Sequence, residues 1–129
     1  MPKRNTPKRR VNLPKERNDH MRPDPVLQLL GLAQKAGSVK SGEFMTENTI
    51  KDGKSFLCIV AADASDNTRK QFKDMCSYYS VPYLEYSDKE NLGHAIGKEF
   101  RASLCVTNEK LARQILIKVP NGGSENGKD

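Results

Sequence analysis

Two short apolar segments constrain the fold of this chain more than any other feature. Residues 56–62 form a run of seven apolar side chains, and residues 102–106 are apolar apart from one serine. Successive side chains of a strand point to opposite faces, so a strand that is apolar throughout must be covered on both faces. We therefore predict two buried strands, each enclosed between layers of helices.

The other segments alternate between helical and extended patterns. Asp24 is suited to cap a helix that has Pro25 at its first position, and Val26, Leu30 and Ala33 then recur at helical spacing. The next predicted elements are a strand over 38–41, a helix over 42–52, and a helix over 65–79 whose buried stripe ends at Tyr79. A strand over 81–86 follows, and then a short helix begun by a capping box of Ser87 and Glu90. The last predicted helix is capped by Thr107 or Asn108. This alternation predicts an α/β fold, a three-layer α/β/α sandwich around a mixed sheet of about four strands.

The chain is expected to divide into three parts. Residues 1–23, which we call the tail, contain four prolines and few apolar groups, so we expect them to be disordered. Residues 24–119 are expected to form one domain, and residues 120–129 a flexible C-terminal end. Residues 1–22 carry eight basic and two acidic side chains, a net charge of +6 that equals the formal net charge of the whole chain. Affinity for polyanions that depends on net charge is therefore expected in the tail.

The sequence offers little for catalysis or metal binding. His94 is the only histidine of the predicted domain, and the chain has no Cys-x-x-Cys pair, so we expect no metal site. Cys58, Cys76 and Cys105 are widely spaced among apolar neighbours, and we interpret them as buried free thiols. Because no nucleophile with an adjacent base and no glycine-rich nucleotide motif is present, we expect no catalytic residue, no cofactor and no enzyme activity.

The apolar segments are too short for a membrane protein. None approaches the ~20 residues that span a bilayer, and no apolar segment follows the basic N-terminus as it would in a secretory signal. We therefore expect a cytoplasmic protein without a membrane partner.

Two loops at one end of the predicted sheet form the candidate contact surface. The first covers residues 40–44, where the N-terminus of a helix directs free amides outward and could receive a phosphate. The second covers residues 97–103 and holds two cations beside an aromatic ring. Gly93 and Gly97, four residues apart, indicate close packing or a turn before it. On the sequence alone, each loop is also consistent with an ordinary surface loop.

A series of short motifs carries a family resemblance. The motifs are residues 30–37 (LGLAQKAG), 41–43 (SGE), 62–68 (ADASDNT), 79–82 (YSVP), 92–98 (LGHAIGK) and 106–108 (VTN). In their order and spacing, over residues 26–117, they resemble the bacterial YlxQ-type proteins of the ribosomal L7Ae superfamily. The resemblance implies an α/β/α sandwich that binds RNA, typically at kink-turns, which are sharply bent helices with a bulge and tandem sheared G·A pairs.

The resemblance also implies where RNA would bind. In the family, the start of the second helix enters the groove of the kink, and the loop before the last strand covers the bulged bases. Such shapes and splayed nucleotides are what proteins read in RNA. Gly42 corresponds to the family glycine that opens the helix. The Gly-x-Asn-Glu-x-x-Lys pattern of kink-turn binders is replaced here by Phe44, Met45 and Asn48 at its three polar positions.

These observations give two hypotheses. The first is a non-enzymatic, monomeric RNA-binding protein associated with ribosomes or translation. Its expected RNA contacts in the domain are Lys40, Ser41, Gly42, Glu43, Phe44, Asn48, Lys98, Glu99, Phe100, Arg101, Ala102 and Ser103. Its expected contacts in the tail are Lys3, Arg4, Lys8, Arg9, Arg10, Lys15 and Arg17. The alternative is a protein-interaction or scaffold module on the same fold, with kink-turn recognition lost and an apolar docking patch near Phe44.

Overall fold

Helices and strands alternate along residues 24–120, the part of the chain that the computed structural model describes. In chain order the elements are α1 (Pro25–Lys35), β1 (Val39–Ser41), α2 (Glu43–Lys51), β2 (Leu57–Val60), α3 (Asp66–Tyr79), β3 (Tyr83–Glu85), α4 (Lys89–Ala95), β4 (Ser103–Val106) and α5 (Glu109–Lys118). The predictions for residues 1–23 and for residues 121–129 lie outside the described residues.

The four strands form one mixed sheet in the order β1-β4-β2-β3. Strand β4 runs antiparallel to both β1 and β2, whereas β2 and β3 are parallel. The register pairs Ser41 with Leu104 and Val60 with Ser103, so β1 ends where β4 begins. We call this side of the sheet the Ser103 end, and we call the opposite side, where Leu57 pairs with Val106, the Val106 end.

Helices cover both faces of the sheet. Every residue of β2 and β4 is buried, as the two apolar segments predict. Helix α1 packs against α4 and α5, and α2 packs against α3. The largest fully buried side chains come from every layer and include Leu30, Ile50, Ile59, Phe72, Leu92, Leu104 and Ile115. The predicted α/β/α sandwich is therefore confirmed. No helix within residues 24–120 is long and apolar enough to cross a membrane.

Side-chain caps begin α1 and α5 at the predicted positions. The Asp24 carboxylate accepts hydrogen bonds from the amides of Val26 and Leu27, at 2.9 and 3.2 Å, and Pro25 follows as the first helical residue. Of the two predicted caps for α5, Asn108 is the one used, because its side chain accepts from the Leu111 amide at 2.9 Å. These caps satisfy amides that have no partner within the helix.

Three local predictions were wrong. The short helix α4 is capped by Asp88, whose carboxylate accepts from the Asn91 amide at 2.8 Å, and not by a box of Ser87 and Glu90. Ser87 adopts a left-handed conformation, with φ of 61°, and its carbonyl accepts from the Ala62 amide, so the helix begins one residue later. Tyr79 is exposed at the end of α3 and is not part of its buried stripe. The strands are also shorter than predicted, because the regular ladder ends before residues such as Phe56, Ala61 and Tyr86.

Candidate nucleic-acid interface

The two candidate loops meet at the Ser103 end of the sheet. The Gly42 amide donates to the Ser103 carbonyl at 3.0 Å, and Arg101 Nε donates to Ser41 Oγ at 3.0 Å. These bonds join residues about 60 positions apart in the chain. We call residues 40–45 the α2 start and residues 97–103 the β4 loop, and together they form one continuous surface.

A glycine sets the direction of the α2 start. Gly42 has φ of 93° and ψ of 156°, a region that side chains essentially exclude, and it precedes the helix without a side-chain cap. Its carbonyl accepts the first helical hydrogen bond, from the Thr46 amide at 2.9 Å. The amides of Glu43, Phe44 and Met45 therefore have no acceptor within the helix. They contribute partial positive charge, which favours an anion at this point.

Close packing against α4 fixes the β4 loop. A Cβ added to Gly93 would lie 1.6 Å from the Glu99 carbonyl oxygen, so only glycine permits this approach. The Lys98 amide donates to the Gly93 carbonyl at 2.8 Å, and Gly97 turns the chain with φ of 73°. The Arg101 amide donates to the Lys89 carbonyl at 3.0 Å. The sequence predicts close packing or a turn at these two glycines, and the structure has the close packing at Gly93 and the turn at Gly97.

The side chains presented by this surface are cationic and aromatic. Lys40 and Lys98 are exposed and Arg101 is half-buried. None of the three forms an ion pair with another residue of the described chain. The rings of Phe44 and Phe100 are 72% and 63% exposed, one on each half of the surface. The surface therefore offers charge for phosphates together with flat apolar rings.

The other predicted RNA contacts of the domain differ in their exposure and location. Ser103 is buried and contributes its carbonyl, and Ala102 is half-buried with its carbonyl accepting from the Ala61 amide. Glu43 and Glu99 are exposed and reduce the positive charge of the surface. Asn48 lines a neighbouring groove of about 600 Å³, which runs along α2 and also includes Lys40, Met45, Lys54 and Phe56.

Sequence reasoning did not identify one connection that holds the surface together. The Asp63 carboxylate, at the end of β2, accepts from the Lys89 amide at 2.9 Å and so links the sheet to the start of α4. Lys89 in turn holds Arg101 through its carbonyl. Asp63 lies within one of the family-like motifs, but its partner is 26 residues away. No local pattern in the sequence indicates that contact.

The three cysteines are buried in the domain, and none of them belongs to the α2 start or the β4 loop. Cys58, Cys76 and Cys105 are free and buried, which confirms the interpretation of the three thiols. A hydrogen bond with Cys76 and burial both raise the pKa of Cys58, and burial raises the pKa of Cys105. These two thiols therefore stay neutral near pH 7 and are weak nucleophiles. Within residues 24–120, no three metal-binding side chains come together in a way that could hold an ion.

Comparison with known proteins assigns the fold to a family. Residues 24–117 match the model of the Ribosomal protein L7Ae/L30e/S12e/Gadd45 family. The chain belongs to this family. The match includes every helix and strand except the last residue of α5. The resemblance noted from the sequence is thereby confirmed.

Two bacterial proteins are among the curated relatives of the chain. Over 88 residues the chain is 40% identical to the RNA-binding protein YlxQ of Bacillus subtilis. This alignment covers 68% of this chain and 88% of that protein. Over 82 residues it is 42% identical to the RNA-binding protein YlxQ of Enterococcus faecium. This second alignment covers 64% of this chain and 80% of that protein. The chain is therefore similar to the YlxQ type within the family.

Solved structures of this fold agree. A Bacillus halodurans protein described as having unknown function matches with a TM-score of 0.72 at 30% identity, covering 74% of this chain and 97% of that one. The 15.5kD RNA binding protein of Giardia lamblia matches with a TM-score of 0.65 at 22% identity, and the match covers 78% of this chain and 86% of that one. The second likeness concerns the fold alone.

Proposed function

We propose that this protein binds structured RNA through the joined surface of the α2 start and the β4 loop. The observation that supports the proposal is the junction itself, which joins the β4 loop, with its cations Lys98 and Arg101, to the start of α2 and its free amides. Phosphate contacts supply a large share of the affinity in protein–nucleic acid complexes, and helix N-termini are established anion sites. The names of the two bacterial relatives, both RNA-binding proteins, support the same class of ligand.

The tail is proposed to add non-specific affinity. Its net charge of +6 attracts polyanions of any sequence, whereas the remainder of the chain is formally neutral. We further propose that the protein acts without catalysis, as a monomer in the cytoplasm, on ribosomal RNA or another RNA of translation. The buried thiols of Cys58 and Cys105, whose pKa values are raised, and a single exposed histidine in the domain fit a binding protein better than an enzyme.

Two matched double variants of the full chain test the RNA-binding surface. Lys40→Ala with Lys98→Ala removes one exposed cation from each half, while Arg101 stays because it holds Ser41. The control, Lys73→Ala with Lys110→Ala, removes two exposed cations from α3 and α5. Each charge-assisted phosphate contact contributes about 1 kcal/mol or more, so the first variant should bind a structured RNA at least ~10-fold more weakly at one fixed salt concentration.

The control variant separates a site from a general attraction. A mechanism that depends only on net charge gives equal losses for the two double variants, which would contradict the proposed surface. In that case the scaffold hypothesis, with a protein docked near Phe44, becomes the better explanation. Fluorescence anisotropy with a labelled hairpin that contains an internal loop provides the measurement.

A further inference from the structure

Helix α1 is apolar on a second face as well as on the face that it buries. The stripe that packs into the core consists of Val26, Leu30 and Ala33. Pro25, Leu29 and Leu32 form a second stripe at the same helical spacing, and Leu32 is 56% exposed. A surface helix ordinarily has polar side chains opposite its core stripe, and a helix that is apolar on most sides is one that is covered. The second stripe therefore indicates a face that another molecule covers.

This second stripe lines an open groove of about 500 Å³, which we call the α1 groove. Lys35, the last residue of α1, and Lys118, the last residue of α5, also line it, and both are exposed. From Pro25 to Lys35 the groove follows α1 for about 15 Å, nearly three helical turns. No described residue that lines it belongs to the α2 start or the β4 loop. An occupant of the α1 groove therefore does not need the residues that are proposed to bind RNA.

The charge of the α1 groove is not balanced by its own surroundings. Within residues 24–120 neither lysine forms an ion pair, and no described residue that lines the groove is acidic. Helices α2, α3 and α5, by contrast, each hold an ion pair between side chains four residues apart. Unbalanced positive charge beside an apolar stripe favours a partner that carries carboxylates and disfavours one that carries cations.

The walls of the groove determine the conformation of the partner. Both walls are helices, which use their backbone hydrogen bonds internally. An extended peptide placed between them would find no partners for its own backbone groups, and burying such groups unpaired is unfavourable. A helix has these groups already bonded and presents only side chains. We propose that the α1 groove binds an amphipathic helix of another protein, with leucine-like residues on one face and carboxylates beside them. Such binding goes beyond the proposed recognition of RNA and does not depend on it.

The same observations disfavour two other occupants. A second copy of this chain, docked groove to groove in a symmetric dimer, would bring the lysines of the two copies together. A nucleic acid would find no aromatic ring among the described lining residues on which a base could stack, and its phosphates would leave the two leucines uncovered.

Three synthetic peptides of about 18 residues, long enough to form a helix in isolation, test the proposal with the full chain. The first has leucines on one face and glutamates beside them. The second has lysines in place of the glutamates. The third has the composition of the first, but its leucines are dispersed around the helix. Because the first and third peptides carry the same charge, their comparison excludes simple attraction to the basic tail. Fluorescence anisotropy of the labelled peptides gives the affinities.

We expect the first peptide to bind at least ~10-fold more tightly than the other two, since covering apolar side chains and pairing charges each contribute about that factor. Leu32→Ser should weaken this binding about 5-fold, because a leucine that is half exposed loses its new contacts. The matched control is Ile117→Ser on α5, since Ile117 is 72% exposed and does not line the groove, and it should have no effect.

Reversing the charge of the groove provides the second test. Lys35→Glu with Lys118→Glu should bind the second peptide more tightly than the first. The control, Lys73→Glu with Lys110→Glu, changes two exposed cations outside the groove and should keep the original preference. All four substitutions lie at exposed positions, so the unfolding temperature of both variants should stay close to that of the unsubstituted protein.

Other results would overturn the proposal. Equal affinity for the first and third peptides would show attraction by charge alone, and equal effects of Leu32→Ser and Ile117→Ser would exclude the second stripe. A dimer seen by sedimentation and abolished by Leu32→Ser would make a second copy the occupant. A loss of affinity for an RNA hairpin in Leu32→Ser would make the occupant an RNA. Because the peptides are titrated without RNA, their failure to bind leaves the proposed RNA-binding function standing.

Discussion

The two halves of the surface are held in place by different physical means. The α2 start depends on a backbone conformation at Gly42, around which an added Cβ would meet no atom within 4 Å. The β4 loop depends on contact, since its Glu99 carbonyl lies against the Cα of Gly93. Variation is therefore tolerated differently in the two halves. Side chains of the α2 start, such as Phe44, project into open space, whereas the path of the β4 loop is fixed by α4.

Removing residues 1–22 should have the largest effect on RNA affinity. It tests whether the tail supplies non-specific affinity in addition to the two halves of the surface. The deleted segment carries a net charge of +6. If most of these charges meet phosphates, the slope of log K against log salt should fall by about four units, at roughly 0.7–0.9 per contact. Binding titrations at several salt concentrations measure the slope. An unchanged slope would show that the tail takes no part.

Gly93→Ala tests the contact that fixes the β4 loop. The new methyl group would collide with backbone atoms of Glu99, which cannot move without shifting the loop. We expect a loss of about 3 kcal/mol in the free energy of unfolding, at the upper end of typical overpacking costs, and a loss of RNA affinity. Chemical denaturation gives the first value. A loss below about 1 kcal/mol would show that the loop yields easily.

Gly42→Ala tests the conformation that fixes the α2 start, and its effect should be smaller. No atom obstructs the added Cβ, but φ of 93° with ψ of 156° is strained for any residue with a side chain. A cost of about 1–2 kcal/mol in unfolding free energy is expected, again from chemical denaturation. If this variant is less stable than Gly93→Ala, the backbone conformation of the α2 start constrains the fold more than the packing of the β4 loop does.

The smallest effect concerns the chemistry of the α2 start. Phe44→Asn with Asn48→Lys partly restores the polar pattern of kink-turn binders, adding a group that can hydrogen-bond to a base edge and one cation. Affinity for a standard kink-turn should rise about 5-fold, the equivalent of about one hydrogen bond. No gain on the kink-turn would show that the α2 start does not approach that part of the RNA.

The sequence determines the local elements of this fold well. Asp24 and Pro25 mark the start of α1, and the apolar run around Cys58 marks a buried strand, because capping and burial are governed by neighbouring residues. The error at Ser87 has a local cause as well: a left-handed residue cannot be recognised from its type alone when it is a serine.

The geometry of the surface is less predictable from the sequence. The hydrogen bond from Arg101 to Ser41 depends on the strand order, which places β4 beside β1. Exposure is also set by tertiary packing. Phe44 and Phe72 are both aromatic residues in helices, yet the first projects outward at the start of α2 and the second, in α3, is fully buried. Only the packed structure distinguishes a ring available to a ligand from a ring in the core.

The most direct test of the surface follows the backbone amides of the full chain by NMR while an RNA hairpin that contains an internal loop is added. We predict that within residues 24–120 the largest chemical-shift changes fall on residues 40–45 and 97–103, with both segments shifting at the same RNA concentration. Changes confined to the tail, or centred on the Val106 end of the sheet, would contradict a joint RNA-binding surface built from the α2 start and the β4 loop.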